Sequence, residues 1–282
     1  MASQGKWVVQ VTSGAVRYAD ASEHAADSSF EASLNALRER RKAMGVAGPL
    51  GMVTVAAVLA ALVAKLPLWV AALLLILGGA ATWFARARDF ERRMAVVQYE
   101  LDRNVTDAWA RVVKAAKSLD ACSGKWRLVP ATIGGGLDRS GLQVRFSAPA
   151  FLQTNVQSFS LHFGGQVMHF FPDRVLVYEE SNARAISYRQ LRVVASTVQV
   201  PEDNTPPDDA KVVGRTWRHV DANGQRDANH PVNRELPLCE YGQLEFTGPG
   251  SLHETVQCSR IGAAHEFAHV LATLASLVPD SA

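Results

Sequence analysis

His265-Glu266-Phe267-Ala268-His269 places two imidazoles one helical turn apart, with a carboxylate between them. On a helix, this spacing can hold a zinc ion through both histidines while the glutamate acts as general base toward a metal-bound water, which is hydrolytic chemistry. The neighbours Ala263, Ala264, Val270 and Leu271 are uncharged. Catalytic zinc needs a third protein ligand. Downstream, Asp280 is the sole candidate, while upstream His219, His230 or Asp227 could supply one. Periodicity points elsewhere: Phe267, Val270, Leu271, Leu274 and Leu277 share one helical face, and His265 and His269 fall opposite it beside Thr273 and Ser276. Solvated residues on a capping helix have this pattern.

A second constellation lies between Trp217 and Arg234. It gathers Arg218, His219, Asp221, Arg226, Asp227, Asn229, His230, Asn233 and Arg234 in one polar stretch with an Asn223-Gly224 turn signal. Guanidinium forks and amides suit phosphate or carboxylate recognition, and an aromatic such as Trp217 can stack on a flat ligand. The residues expected to bind are Trp217, Arg218, Arg226, Asp227, Asn233 and Arg234, on a loop carried by a β scaffold. The alternative is an ordinary solvated insertion with internal salt bridges. Other chemistry is poorly supported. Gly134-Gly135-Gly136 lacks the ending of a phosphate loop, and no Gly-x-Ser-x-Gly elbow occurs. The three cysteines, Cys122, Cys239 and Cys258, are dispersed and odd in number, which suits reduced thiols rather than a disulfide framework.

The elements that position these groups begin with a membrane signature. Met44–Ala85 is apolar apart from Lys65 and Pro67. About forty such residues are right for two spans of roughly 20, here Met44–Ala64 and Leu66–Ala85, both helical because lipid satisfies no backbone polar group. Arg38, Arg40, Arg41 and Lys42 precede the hairpin, and Arg86, Arg88, Arg92 and Arg93 follow it. This charge pattern places both ends in the cytoplasm. Trp69 and Trp83 fall near opposite interfaces. With no charge inside either span, transport through the hairpin is disfavoured. The net charge of +2 is no nucleic-acid signature, since much of the basic excess flanks the hairpin.

Residues 1–27 read as loop with a possible strand at 6–11. Ser28-Ser29-Phe30-Glu31 has capping-box form and opens a cytoplasmic helix over 28–43. Residues 86–121 contain neither Gly nor Pro, and Phe90, Met94, Val97, Leu101, Val105, Ala108, Val112 and Leu119 form a helical stripe. The spacing predicts a continuous stalk helix over 86–122, reaching roughly 50 Å from the bilayer. Its stripe needs a partner: the 29–43 helix, the globular domain or a second copy. From Lys125 onward, short β-branched and aromatic runs punctuated by Gly, Pro, Asn or Asp read as strands, and a helix over Ile261–Leu277 closes the chain.

Phe171-Pro172-Asp173-Arg174-Val175-Leu176-Val177-Tyr178, followed by Ala185-Ile186-Ser187-Tyr188-Arg189-Gln190-Leu191-Arg192, resembles the central hairpin of bacterial pleckstrin-homology-like (PH-like) and GRAM domains. A final amphipathic helix capping an open barrel also fits that family. Val212-Val213-Gly214-Arg215-Thr216-Trp217-Arg218, Asn233–Pro237 and Tyr241-Gly242 are similar to bacterial membrane-associated proteins. Together with the apolar runs and the stalk periodicity, the resemblance, which covers about 150 C-terminal residues, implies an α+β chain with a two-helix transmembrane hairpin, a helical stalk and a β-rich PH-like cytoplasmic domain over 123–282, in the bacterial inner membrane. The function expected is a non-enzymatic, membrane-tethered binding or sensing module for a protein, lipid headgroup or small anionic ligand. It would need no cofactor, make no nucleic-acid contact and form a homo-oligomer. Two alternatives stand beside it. One is a structural oligomerising scaffold. The other is a membrane-bound zinc peptidase, for which resemblance to the zincins assigns His265 and His269 as ligands and Glu266 as base.

Overall fold

Two apolar runs separated by a helix-stopping turn fold as two helices, α1 (Ala47–Val63) and α2 (Leu68–Arg93). The computed structural model describes residues 10–11, 47–65, 67–93, 95–130, 137–149, 152–179, 182–221, 223–250 and 252–278. Lys65 takes a left-handed conformation (φ +54°) at the turn. The helices pack closely through small residues: Gly51 faces Thr82, and a Cβ on Gly78 would collide with the Thr54 side chain. Among the described residues, α2 is the one helix long and apolar enough to cross a membrane by length and composition, through Trp69–Arg86. α1 is 17 residues long. The 28–43 helix, its capping box and the first residues of the expected first span lie outside the described residues.

The described strands are β1 (Gln10–Val11), β2 (Ala95–Gln98), β3 (Lys125–Pro130), β4 (Leu137–Gly141), β5 (Gln143–Arg145), β6 (Leu152–Thr154), β7 (Phe159–Phe163), β8 (Gln166–Phe170), β9 (Arg174–Glu179), β10 (Asn182–Ser187), β11 (Arg192–Pro201), β12 (Lys211–Trp217), β13 (Glu235–Thr247) and β14 (His253–Cys258). With α3 (Arg103–Asp120) and α4 (Ile261–Leu277), they make the described chain α+β. It divides into two compact units: the described residues of Lys6–Glu100 and Pro149–Val156, and those of Leu101–Ala148 and Gln157–Ala282.

The first unit holds the α1–α2 hairpin and a small sheet ordered β1-β2-β6, in which β2 pairs antiparallel with β1 and parallel with β6. This corrects the continuous stalk expected over 86–122. α2 stops at Arg93, residues 95–98 form β2, and a new helix begins at Arg103. The cause is non-local. Val96 and Val97 are β-branched and suit a pleated strand. Val97 is 2% exposed, and Asn155 clamps the neighbouring Tyr99 backbone by accepting from its N–H and donating to its carbonyl, both at 2.8 Å. Val97 keeps its place in an apolar spacing that a helix and a strand share, so periodicity alone could not separate them.

In the second unit, a five-stranded antiparallel sheet ordered β10-β9-β8-β7-β5 faces a six-stranded one ordered β11-β13-β14-β3-β4, with β12 also on β13. Phe159, Leu161, Phe163, Met168, Phe170, Val175 and Val177 fill the inner face of the first sheet, and Leu244, Phe246 and Val256 fill that of the second, while Tyr241 is buried on the opposite face against Trp126. Phe267 of α4 lies between them, its ring 6.1 Å from Phe159, 6.1 Å from Phe170 and 6.3 Å from Phe246. Gly242 makes this seating possible, because a Cβ there would lie 2.7 Å from that of Ala264. α3 buries Val105, Ala108, Trp109, Val112, Val113, Ala115, Ala116 and Leu119. It packs against α4, and Trp109 stacks on Phe159 at 5.9 Å. The α3 part of the expected stripe, Val105, Ala108, Val112 and Leu119, is therefore buried on the globular domain, one of the three partners expected for it.

Candidate functional site

The Trp217–Arg234 segment joins β12 to β13 as a long hairpin loop. The ladder continues past Trp217–Glu235, where the Arg218 N–H donates to the Arg234 carbonyl at 3.0 Å. Asn233 then acts as a second rung, accepting from the His219 N–H at 3.1 Å and donating to the His219 carbonyl at 2.6 Å. Asp221 caps the tip by accepting from the Asn223 and Gln225 amides. An isolated bridge between Val220 and Arg226 folds the tip back on the loop. The backbone is thus pinned from both ends, and the side chains are presented on fixed points.

Those side chains fall into three groups. Arg226 lies over the Trp217 ring, 5.2 Å from its centroid, and donates to the Pro231 carbonyl. His219 and His230 stack at 4.0 Å with planes 8° apart, and His230 Nδ1 is 2.9 Å from Asp227 Oδ2. Arg218 and Arg234 bracket one carboxylate, Asp203 of the loop after β11, at 3.2 Å and 2.5 Å. The hydrogen bond from Arg234, reinforced by the Arg218 charge, holds Asp203 below the usual carboxylate range. Hydrogen bonding by the Asn229 amide and then by His230 does the same for Asp227. Both arginines remain about half exposed, at 50% and 54% of the side chain.

Every expected binding residue of the loop is thereby brought into one neighbourhood. Asp203 was not singled out by the sequence. It belongs to an acidic, proline-containing run whose charge opposes the arginine-rich loop, but 31 residues separate it from Arg234.

The His265/Glu266/His269 group lies elsewhere. Phe267 is fully buried, while His265, Glu266 and His269 are exposed on α4. His265 Nε2 is 3.2 Å from Thr197 Oγ1 of β11. Thr197 pairs with Gly242, seven positions along β13 from the loop base at Glu235, or about 23 Å at roughly 3.3 Å per residue. His219, His230 and Asp227 therefore do not supply the missing zinc ligand. Among the described residues, no group of three or more His, Cys, Asp or Glu side chains could hold a metal. What the segment contributes to the fold is the Phe267 anchor.

A further cluster had no sequence signal. On the outer face of the five-stranded sheet, His169 sits 6.3 Å from His162 and 5.4 Å from Tyr178, ring to ring, and Ser160 Oγ is 3.0 Å from His162 Nε2. His169 is 9% exposed, and its Nδ1 is buried with no hydrogen-bond partner. Burial, with the nearby His162, brings its pKa down to about 4. His162 is shifted down too, by burial and by Arg145.

Comparison of the chain with protein-family profiles, curated proteins and solved structures finds no match.

Proposed function

We propose that this chain is a membrane-tethered, non-enzymatic binding or sensing module, with its β domain in the bacterial cytoplasm and the Trp217–Arg234 loop as its contact surface. The observation that carries the tether is the exposed apolar surface of the hairpin. Trp69, Ile76 and Trp83 of α2 are 69%, 68% and 73% exposed, and Met52 and Val53 of α1 are 77% and 64% exposed. Water penalises such a surface and lipid does not. Two spans with basic flanks are the finer reading, with α1 as the shorter span and Arg86, Arg88, Arg92 and Arg93 at the cytoplasmic interface. A tether confines the domain near the bilayer and raises its effective concentration toward membrane partners.

The ligand class follows from the Arg218–Asp203–Arg234 arrangement. Two guanidiniums already close on a carboxylate, so the loop is suited to an anionic group, either carboxylate or phosphate, on a protein, lipid headgroup or small molecule. A PH-like β domain remains the preferred description, supported by α4 seated as a terminal cap, although the strands outnumber that family's seven.

The test uses the full chain in nanodiscs of neutral lipid, titrated calorimetrically with inorganic phosphate and with citrate. Saturable binding of at least one probe is expected, weakened at least tenfold by combined Arg218→Glu, Arg226→Glu and Arg234→Glu, with the thermal unfolding midpoint retained. Unsaturable heats, or equal affinity in the variant, would remove the loop as the contact surface.

A further inference from the structure

The end of α3 and the end of β14 are drawn together in an arrangement that the proposed function does not use. Cys258 pairs with Lys125 in the β3–β14 ladder. The pairing runs on beyond the strands: the Ser259 N–H donates to the Gly124 carbonyl at 2.8 Å, and the Gly124 N–H donates to Ser259 Oγ at 3.0 Å. This brings Cys122, just past the C-terminus of α3, close to Cys258, each acting electrostatically on the other, and Cys258 Sγ donates to the Arg260 carbonyl at 3.3 Å. Arg260 closes the group. Its Nη2 donates to the Ser118 carbonyl at 2.6 Å, and the same carbonyl accepts from Cys122 Sγ at 3.5 Å. Arg260 Nε lies 3.3 Å from Asp209 Oδ2, yet it is buried without a hydrogen bond.

Two cysteines buried as mere packing would sit among apolar neighbours with both thiols protonated. Here they differ. The neighbouring Cys258 thiol, and then Arg260, bring Cys122 down to about 6, whereas Cys258 is pushed up and keeps its proton. Cys122 is thus the sulfur favoured as thiolate, and Cys258 the neighbour favoured as thiol. Cys122 is 4% exposed, but its neighbours Ala121 and Ser123 are exposed, so a small oxidant has a short approach. Cys239 is buried elsewhere, on β13.

We propose that Cys122 and Cys258 form a redox modification site at which a hydroperoxide converts the thiol pair to a disulfide. The Cys122 thiolate attacks the terminal peroxide oxygen. A sulfur–oxygen bond forms as the oxygen–oxygen bond breaks, and the departing alkoxide or hydroxide takes a proton to leave as alcohol or water. The Cys258 sulfur then attacks the Cys122 sulfenic acid. The sulfur–sulfur bond forms, the sulfur–oxygen bond breaks, and the Cys258 proton leaves with the oxygen as water. Two electrons pass from the two thiols to the peroxide, and thiol exchange with a dithiol reductant reverses the change. The product would tie the end of α3 to the strand that leads into α4. Transient, redox-sensing disulfides are the kind that cytosolic proteins carry.

The test is made on the full chain, purified reduced in detergent, treated with hydrogen peroxide at pH 6 and blocked with N-ethylmaleimide under denaturing conditions before peptide mass spectrometry. A Cys122–Cys258 cross-linked peptide that disappears with dithiothreitol is expected, with Cys239 recovered as its maleimide adduct. Arg260→Gln should slow the cross-link about tenfold at pH 6 and much less at pH 8.5, because thiolate fraction limits the first step. Recovery of both cysteines as maleimide adducts, over-oxidation of Cys122 with Cys258 left free, or a cross-link to Cys239 instead would each overturn the proposal.

Discussion

Phe267→Ala is expected to destabilise the β domain by about 3–5 kcal/mol, while His265→Ala with His269→Ala stays within about 0.5 kcal/mol of the parent. The contrast follows from where each side chain sits. Phe267 is fully buried among Phe159, Phe170 and Phe246, residues of both sheets, so truncation leaves a cavity that neither sheet can close. The two histidines are exposed, and the one side-chain contact described for either is His265 with Thr197. Urea unfolding of the full chain in detergent, followed by tryptophan fluorescence, measures both; Trp109 and Trp126 lie within the domain. A double-histidine variant as damaged as Phe267→Ala, or stabilisation by added zinc of the parent but not of the variant, would return the zinc-peptidase reading to consideration.

The second large effect is acid sensitivity through His169. Its folded pKa is about 4, against about 6.5 in an unfolded chain. Between these values the unfolded state binds the extra proton, so stability is fully present above about pH 6.5, falls as pH drops and levels off below about pH 4. The span corresponds to about 3 kcal/mol at most. The groups around it are His162, Tyr178 and Ser160; His162 is itself shifted down and adds to the same trend. Asp203 and Asp227, also shifted down, lose their partners only at the acid end of this range. Glu254, raised by burial despite its Arg127 partner, acts in the opposite sense. His169→Leu separates these contributions. Its unfolding free energy should decline less between pH 6.5 and 4 than that of the parent. Identical slopes would mean that His169 is not the group responsible.

These cases show what the sequence could and could not reveal. α4 was legible to its ends, because its apolar face recurs at helical spacing. The β7–β10 meander was legible because its inner-facing residues are apolar and chiefly aromatic or β-branched. By contrast β4, Leu137-Asp138-Arg139-Ser140-Gly141, carries almost no apolar signal. What holds it is distant: Arg139 stacks over Trp126 at 4.3 Å and pairs with Glu202 at 2.7 Å, and Glu202 in turn accepts from Tyr241. β2 and β6 exist through their pairing with each other across more than fifty residues of chain. The polar loop was legible as a concentration of arginines. That two of them share Asp203, or that Arg226 lies over Trp217, depends on the register of the β12–β13 ladder, which local pattern does not encode.

The most direct test of the account is protease treatment of carbonate-washed, inverted inner-membrane vesicles from bacteria producing the full chain. The prediction is that the chain stays with the membrane through the wash, that the protease removes the β domain, and that one protected fragment of about 40 residues remains, containing α1 and α2. Release of the chain by carbonate, or protection of the β domain until the vesicles are opened with detergent, would contradict a cytoplasmic module tethered by a two-span hairpin.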